Sequence, residues 1–230
     1  MTSPALRPDP DDTPDADRGR APGERVYVGR MSYDEYRRHA ETSEFALEYV
    51  GGVVYAVSTG TVVHALIIGS IAARLRTLAR PAGCRAHSSI ISVRTPGGDE
   101  YIPDNVVDCG PPPTAGHLTL TPCLIVEVLS RSTAGTDLNE KRRAYQEIPA
   151  LGAYLIVETD WRAVHRHWRD GAGRWQEETV AGDGVVPLPC PTGGVLTLAE
   201  VYEDVDLPSV PPAPRFPRLR RVREVPAVPA

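Results

Sequence analysis

The run Cys123-Leu-Ile-Val-Glu-Val-Leu129 is apolar at every position except Glu127. A strand with one face in water alternates apolar and polar residues, so an unbroken run is buried on both faces and requires a layer on either side of its sheet. A second strand is expected at 153–158, apolar from Ala153 to Val157, after a segment at 137–147 that reads as a helix closed by Pro149. Two buried strands separated by a helix predict a crossover unit, and with it an α/β fold built on a mixed central sheet flanked by helices. At 230 residues and 41% hydrophobic content the chain holds one ordinary core with tails, and two full domains would be a squeeze.

Local patterns supply the remaining elements. Ser32 followed by Glu35 predicts a capping box and a helix over 32–42. Strands at 46–50 and 53–57 flank Gly51-Gly52, a two-residue hairpin signal. A helix over 61–78 lines up Val63, Ile67, Ile71, Leu75 and Leu78, and stops at Pro81 and Gly83. Strands are expected at 86–94 and 102–109, a hairpin at 164–168 and 174–180 around Asp170-Gly-Ala-Gly173, and a short closing helix at 198–202. The boundaries are then a Pro/Asp/Arg-rich arm over 1–25, a folded domain over 26–206 and a Pro/Arg-rich tail over 207–230. The arginines of the tail suit either solvation or phosphate contact.

Composition excludes some classes of function. A net charge of -5 removes the whole-protein basic field that marks many nucleic-acid binders, so any polyanion site must be local. Cys84, Cys109, Cys123 and Cys190 show no C-x-x-C spacing, which argues against a zinc site and against a secreted disulfide framework. No apolar stretch reads as a membrane span and no leader pattern opens the chain, so a soluble, cytoplasmic protein is expected.

Two charged residues carry chemical information. Glu127 lies inside a buried strand, where an ionised carboxylate needs a metal, a cation or a raised pKa to offset desolvation; a structural ion pair is the plainer reading. Lys141 is the single lysine in a chain whose 25 basic residues are otherwise arginine. Guanidinium serves wherever charge alone is needed, so a solitary ammonium suggests orienting or deprotonating a water; pairing with Asp137 one turn away is the alternative. Asp104 heads a neighbouring strand and can bring its carboxylate beside Glu127, as two acids do when they hold a divalent ion through oxygen. Asp108 shares its face but lies about 13 Å further along the strand, too far for the same ion.

Pro103-Asp104, Glu127-Val-Leu-Ser130, Asp137 with Lys141 and Tyr145, and Ala153-Tyr-Leu-Ile-Val157 together resemble the Uma-type "putative restriction endonuclease" family, a branch of the PD-(D/E)XK nuclease superfamily. The resemblance spans roughly residues 30–205 and also takes in Glu48, Gly52 and His64. It implies a restriction-endonuclease-like core in which Asp104 and Glu127, assisted by the Val128 backbone carbonyl, bind Mg²⁺, with Mn²⁺ as a substitute. The superfamily's lysine normally follows the Glu by two residues. That position here is Leu129, and in this branch the following helix supplies the lysine, which matches Lys141. Glu48 matches an additional acid, with a surface residue before the hairpin as its alternative. His64 matches a family position where a hydrogen-bonded core or capping histidine fits as well. Tyr145 is expected to pack on the Lys141 stem.

The function implied is a Mg²⁺-dependent endonuclease acting on DNA, with no membrane and no organic cofactor; cutting both strands of a duplex is easiest for a symmetric dimer, so a homodimer is expected. Competing readings are a catalytically silent DNA-binding or assembly protein of the same fold, and a metal-dependent hydrolase of small molecules. Ser130, Ser132 and Thr133 form a polar loop suited to phosphate contact or to capping the next helix. His165 and His167 share a strand face, and no acid or cysteine near them is expected to complete a metal set.

Overall fold

The computed structural model describes residues 25–57, 60–89, 91–111, 118–119, 121–130 and 136–212. Most of both predicted arms, residues 1–24 and 213–230, lies outside these, as do Ser132, Thr133 and the side chain of Asp137. In chain order the elements are β1 (Arg25–Arg30), α1 (Tyr33–Thr42), β2 (Leu47–Val50), β3 (Val53–Val57), α2 (Val62–Ala79), β4 (Arg85–Ser88), β5 (Ser92–Arg94), β6 (Glu100–Tyr101), β7 (Asn105–Asp108), β8 (Leu118–Thr119) and β9 (Pro122–Val128). A π-helical turn, Thr136–Lys141, leads into α3 (Arg142–Gln146). Then come β10 (Ala153–Val157), β11 (Ala163–Arg169), β12 (Trp175–Ala181), β13 (Val185–Leu188), β14 (Gly194–Thr197) and α4 (Leu198–Val201).

The strands make two six-stranded sheets and a ribbon of β13 and β14. The larger core belongs to the sheet ordered β12-β11-β10-β9-β7-β4. Within it β9 and β10 run parallel, Ile156 opposite Glu127, and α3 lies on the crossover between them. The other neighbours are antiparallel, so the sheet is mixed. Both faces are covered, as the two apolar runs require. Val126 and Val128 pack with Ile67, Ile71 and Leu75 of α2, while Ile125 and Leu129 pack with Tyr145, Tyr154 and Ile156. Successive side chains of a strand point to opposite faces, so Glu127 joins the Tyr145 side.

The capping box at Ser32 and Glu35 opens α1, and Gly51 and Gly52 make the β2–β3 turn with φ of 56° and 82°, which glycine adopts without a Cβ penalty. Other expectations need correcting. Residues 86–94 are not one strand: β4 and β5 belong to different sheets, and the chain turns between them at Ser89, whose φ is 52°. The strand expected from 102 starts at Asn105, leaving Asp104 in the approach to it. The first six-stranded sheet, ordered β1-β3-β2-β6-β5-β8, draws in strands of two or three residues that no periodicity reveals. Its edge strand β1 starts at Arg25, the last residue of the predicted arm.

Two exclusions also fall. Val62–Ala82 is long and apolar enough to cross a membrane by length and composition. Here Ile67, Ile71, Leu75 and Ala79 of that stretch are buried in the core of the second sheet. The cysteines, scattered along the sequence, converge: Cys84 is disulfide-bonded to Cys109 and Cys123 to Cys190. Sequence spacing does not measure distance across a sheet, where antiparallel pairing of β4 with β7 and β7 with β9 aligns strand ends.

Candidate active site

The register Asn105↔Val126 puts Asp104 beside Glu127 across adjacent strands. Glu127 is 3% exposed, and its Oε1 accepts hydrogen bonds from Lys141 Nζ at 2.9 Å and from the Tyr145 hydroxyl at 3.0 Å. Lys141, 5% exposed, closes the π-helical turn, and such turns recur where a side chain must be re-aimed. Tyr145 follows one turn later on the same face of α3, so one short helix delivers both donors to one carboxylate oxygen. The ammonium also lies 3.3 Å from Glu48 Oε1 and 5.8 Å from the centroid of the Tyr101 ring.

Glu48, on β2 of the other sheet, is 1% exposed and thus no surface acid. It accepts from the Ile102 backbone N–H at 3.2 Å and pairs with Arg25 Nε at 2.7 Å. Arg25 reaches on to Glu140 at 2.8 Å, and the Tyr101 hydroxyl donates to the same Glu140 oxygen at 3.3 Å. Asp104 is held from the opposite side: its Oδ2 accepts from the Val128 N–H at 2.7 Å. His64 Nε2 lies 2.9 Å from the Val128 carbonyl and 3.5 Å from Asp104 Oδ2. The side chains of Asp104 and His64 are 17% and 15% exposed, so the cluster is open at Asp104 as well as at Glu140, which is 46% exposed.

Burial, then the Glu127 charge, pushes the Tyr145 phenol well above its ordinary value, so it stays a donor. Burial and Glu140 act on Tyr101 in the same direction. Burial alone would lower the Arg25 pKa, but Glu48 and Glu140 outweigh it and hold the guanidinium charged. Four carboxylates, Glu48, Asp104, Glu127 and Glu140, thus share the cluster with two basic side chains, Arg25 and Lys141, which pair with Glu48, Glu127 and Glu140 while Asp104 faces His64. The excess is anionic. Its open side carries hard oxygen donors, which fits a divalent cation of the Mg²⁺ type.

The sequence-predicted residues Asp104, Glu127, Lys141, Glu48, Tyr145 and His64 thus share one cluster with the Val128 backbone. Tyr145 does more than pack on the lysine stem, since its hydroxyl bonds Glu127. His64 contacts the Val128 carbonyl and Asp104 directly. Asp108 is elsewhere, accepting from Arg85, Gly110 N–H and Thr121. Arg25, Tyr101 and Glu140 escaped the sequence reading. For Arg25 the available signal was Val26-Tyr27-Val28, a short β-prone triplet just after it. Each of the two histidines has one acid nearby: His165 Nε2 lies 2.9 Å from Glu158 Oε1, and His167 Nδ1 lies 3.6 Å from Glu177 Oε2. Among the described residues neither belongs to a group of three metal-type ligands.

The model of the Uma2 family, described as "Putative restriction endonuclease", matches residues 33–199, a span that holds all of these residues except Arg25. This chain belongs to the Uma2 family. The Synechocystis sp. protein slr1290 is 28% identical over 148 residues, covering 64% of this Uma2 chain and 78% of its own length. A second Synechocystis protein, sll1609, is 37% identical over 62 residues, or 27% of this chain and 35% of its own. Among solved structures, a "putative nuclease belonging to DUF820" from Anabaena variabilis superposes with a TM-score of 0.62 at 16% identity, covering 75% of this chain and 97% of that one. That likeness bears on the fold, which the two proteins share.

Proposed function

We propose that this Uma2 protein is a divalent-metal-dependent endonuclease that hydrolyses phosphodiester bonds in DNA. The observation that carries the reading is the buried Lys141 ammonium, held between Glu127 and Glu48 while Asp104 approaches from the adjacent strand. Asp104, Glu127 and the Val128 carbonyl would hold Mg²⁺ or Mn²⁺, which supplies Lewis-acid neutralisation of the phosphate and acidification of water.

The chain's own groups do the rest. Lys141 orients the attacking water and opposes the negative charge that grows on phosphate oxygens in the transition state. A guanidinium would be the wrong shape for a pocket that grips a compact charge from two sides. Tyr145 and Glu127 form a positioning pair, the phenol fixing the carboxylate's orientation. The Val128 N–H does the same for Asp104, and His64, donating from Nε2, orients the Val128 carbonyl. Cutting both strands of a duplex calls for two such sites, and a symmetric homodimer supplies them. Sedimentation at working concentration should show a dimer, and a monomer would count against this arrangement.

The test is cleavage of plasmid and single-stranded DNA with Mg²⁺ or Mn²⁺ against EDTA, with Glu127→Gln and Lys141→Met beside the wild type. Metal-dependent cutting that falls by about 10³-fold or more in both variants is expected. Folded wild type that binds DNA in a salt-sensitive manner but never cuts would point to a silent binding subunit. Hydrolysis of small esters without DNA binding would point to a small-molecule hydrolase.

A further inference from the structure

The chain contains four cysteines, at 84, 109, 123 and 190, and all four meet at one place. Cys84 leads into β4, Cys109 follows β7, Cys123 is the second residue of β9, and Cys190 follows β13. Two disulfides have no reason to touch one another, because each is complete in itself. Here Cys109 Sγ lies 3.3 Å from Cys123 Sγ and 3.4 Å from Cys190 Sγ, so the pairs are in mutual contact. The sulfurs of Cys84, Cys109 and Cys190 all lie within 4.8 Å of one another. A tetrahedral ion with metal–sulfur bonds of about 2.3 Å sets its four sulfurs about 3.8 Å apart. Cys109, bonded to Cys84, also touches both sulfurs of the other pair, a convergence that such an ion requires and that disulfide bonding leaves unexplained.

We propose that, in its reduced form, the protein holds one Zn²⁺ ion on the thiolates of Cys84, Cys109, Cys123 and Cys190. Four soft sulfur ligands with no open position make a structural site, separate from the hard-oxygen cluster. Cys123 and Glu127 are four residues apart on one strand, so the two centres stand about 13 Å from each other. The ion ties β4, β7 and β9 to the segment after β13, and so clamps the two strands that present Asp104 and Glu127. The disulfide-bonded form is the oxidised, metal-free state of the same set. Each S–S bond forms as two thiolates give up two electrons, and a peroxide takes these with two protons to become two waters. Two peroxides thus convert the site into both disulfides and release the ion.

The full chain, purified with a thiol reductant and no chelator, should carry about one zinc per molecule by elemental analysis and show all four thiols once denatured. Cobalt in place of zinc should give the intense visible bands of a tetrahedral thiolate site. Cys109→Ser and Cys190→Ser should each lower zinc content at least about tenfold, whereas Glu127→Gln should keep it. Reduced, folded wild-type protein that takes up neither zinc nor cobalt overturns the proposal. Zinc that survives Cys109→Ser and Cys190→Ser together overturns it too, because the metal would then sit elsewhere. These readouts need no nuclease activity.

Discussion

Strands β7 and β9 carry opposite chemistries at their two ends. At the Asp104–Glu127 end, carboxylates crowd around Lys141 and Arg25, and each desolvated charge persists only through a partner 2.7 to 3.3 Å away. At the Cys109–Cys123 end, sulfurs pack together without ionised partners of their own. The acidic end is costly to assemble and fails when one partner goes, since an uncompensated buried charge is worse than none. The sulfur end is bonded across four chain segments and restrains the strands without stored electrostatic strain. The candidate site thus sits where ionic balance is delicate, and the disulfides sit where it is not.

The largest break in that contrast should come from Lys141→Met. Leaving Glu127 and Glu48 without their shared ammonium should cost about 3–5 kcal/mol in urea melts, and cutting should vanish, while metal and thiol content at the sulfur end stay as they are. Lys141→Arg sharpens the point: it should recover part of the stability and little of the cutting, because charge is restored without the compact geometry.

Asp108 lies at the sulfur end and tests whether that end also depends on charge. Burial would raise its pKa, but the Gly110 N–H, Arg85 and Thr121 outweigh burial and hold it low. A carboxyl with a lower pKa folded than unfolded adds stability above its unfolded value, near about 3.9, and loses it as pH falls through the folded one. Asp108→Asn should therefore cost about 1–3 kcal/mol at pH 7, and the gap from wild type should narrow as pH falls below the unfolded value and close once pH passes below the folded one. A gap independent of pH would mean the carboxylate's charge contributes nothing there.

Tyr145→Phe should show the smallest effect. Glu127 keeps Lys141 as a partner, so stability should fall by about 0.5–1.5 kcal/mol and cutting by roughly tenfold or less. A change in kcat at constant KM fits a positioning residue, whereas a stability loss with unchanged kcat would make the phenol purely structural.

Much of the site was legible because each clue was local. Glu127 stands out against six apolar neighbours, Lys141 against a chain that otherwise writes arginine, and Asp104 at the head of a strand. Glu48 was readable only through family resemblance, since nothing in Leu47-Glu-Tyr49 says that its side chain is buried. Arg25, Tyr101 and Glu140 were not legible, because their roles arise from contacts between segments far apart in sequence. The split of residues 86–94 was hidden for a related reason: three-residue strands give no periodicity, and Ser89 offers none of the composition that usually marks a left-handed turn.

By itself the sequence determined the mixed α/β class, the two strands buried on both faces, the capping box at Ser32 and the carboxylate and lysine that meet in the candidate site. These follow from short-range pattern, where side-chain period and solvation act within a few residues. Only the tertiary structure decided that two six-stranded sheets share the chain, that Glu48 crosses between them to Lys141, and that four scattered cysteines meet. Those outcomes depend on strand register and sheet order, set by the summed packing of the whole core, so no local window contains them.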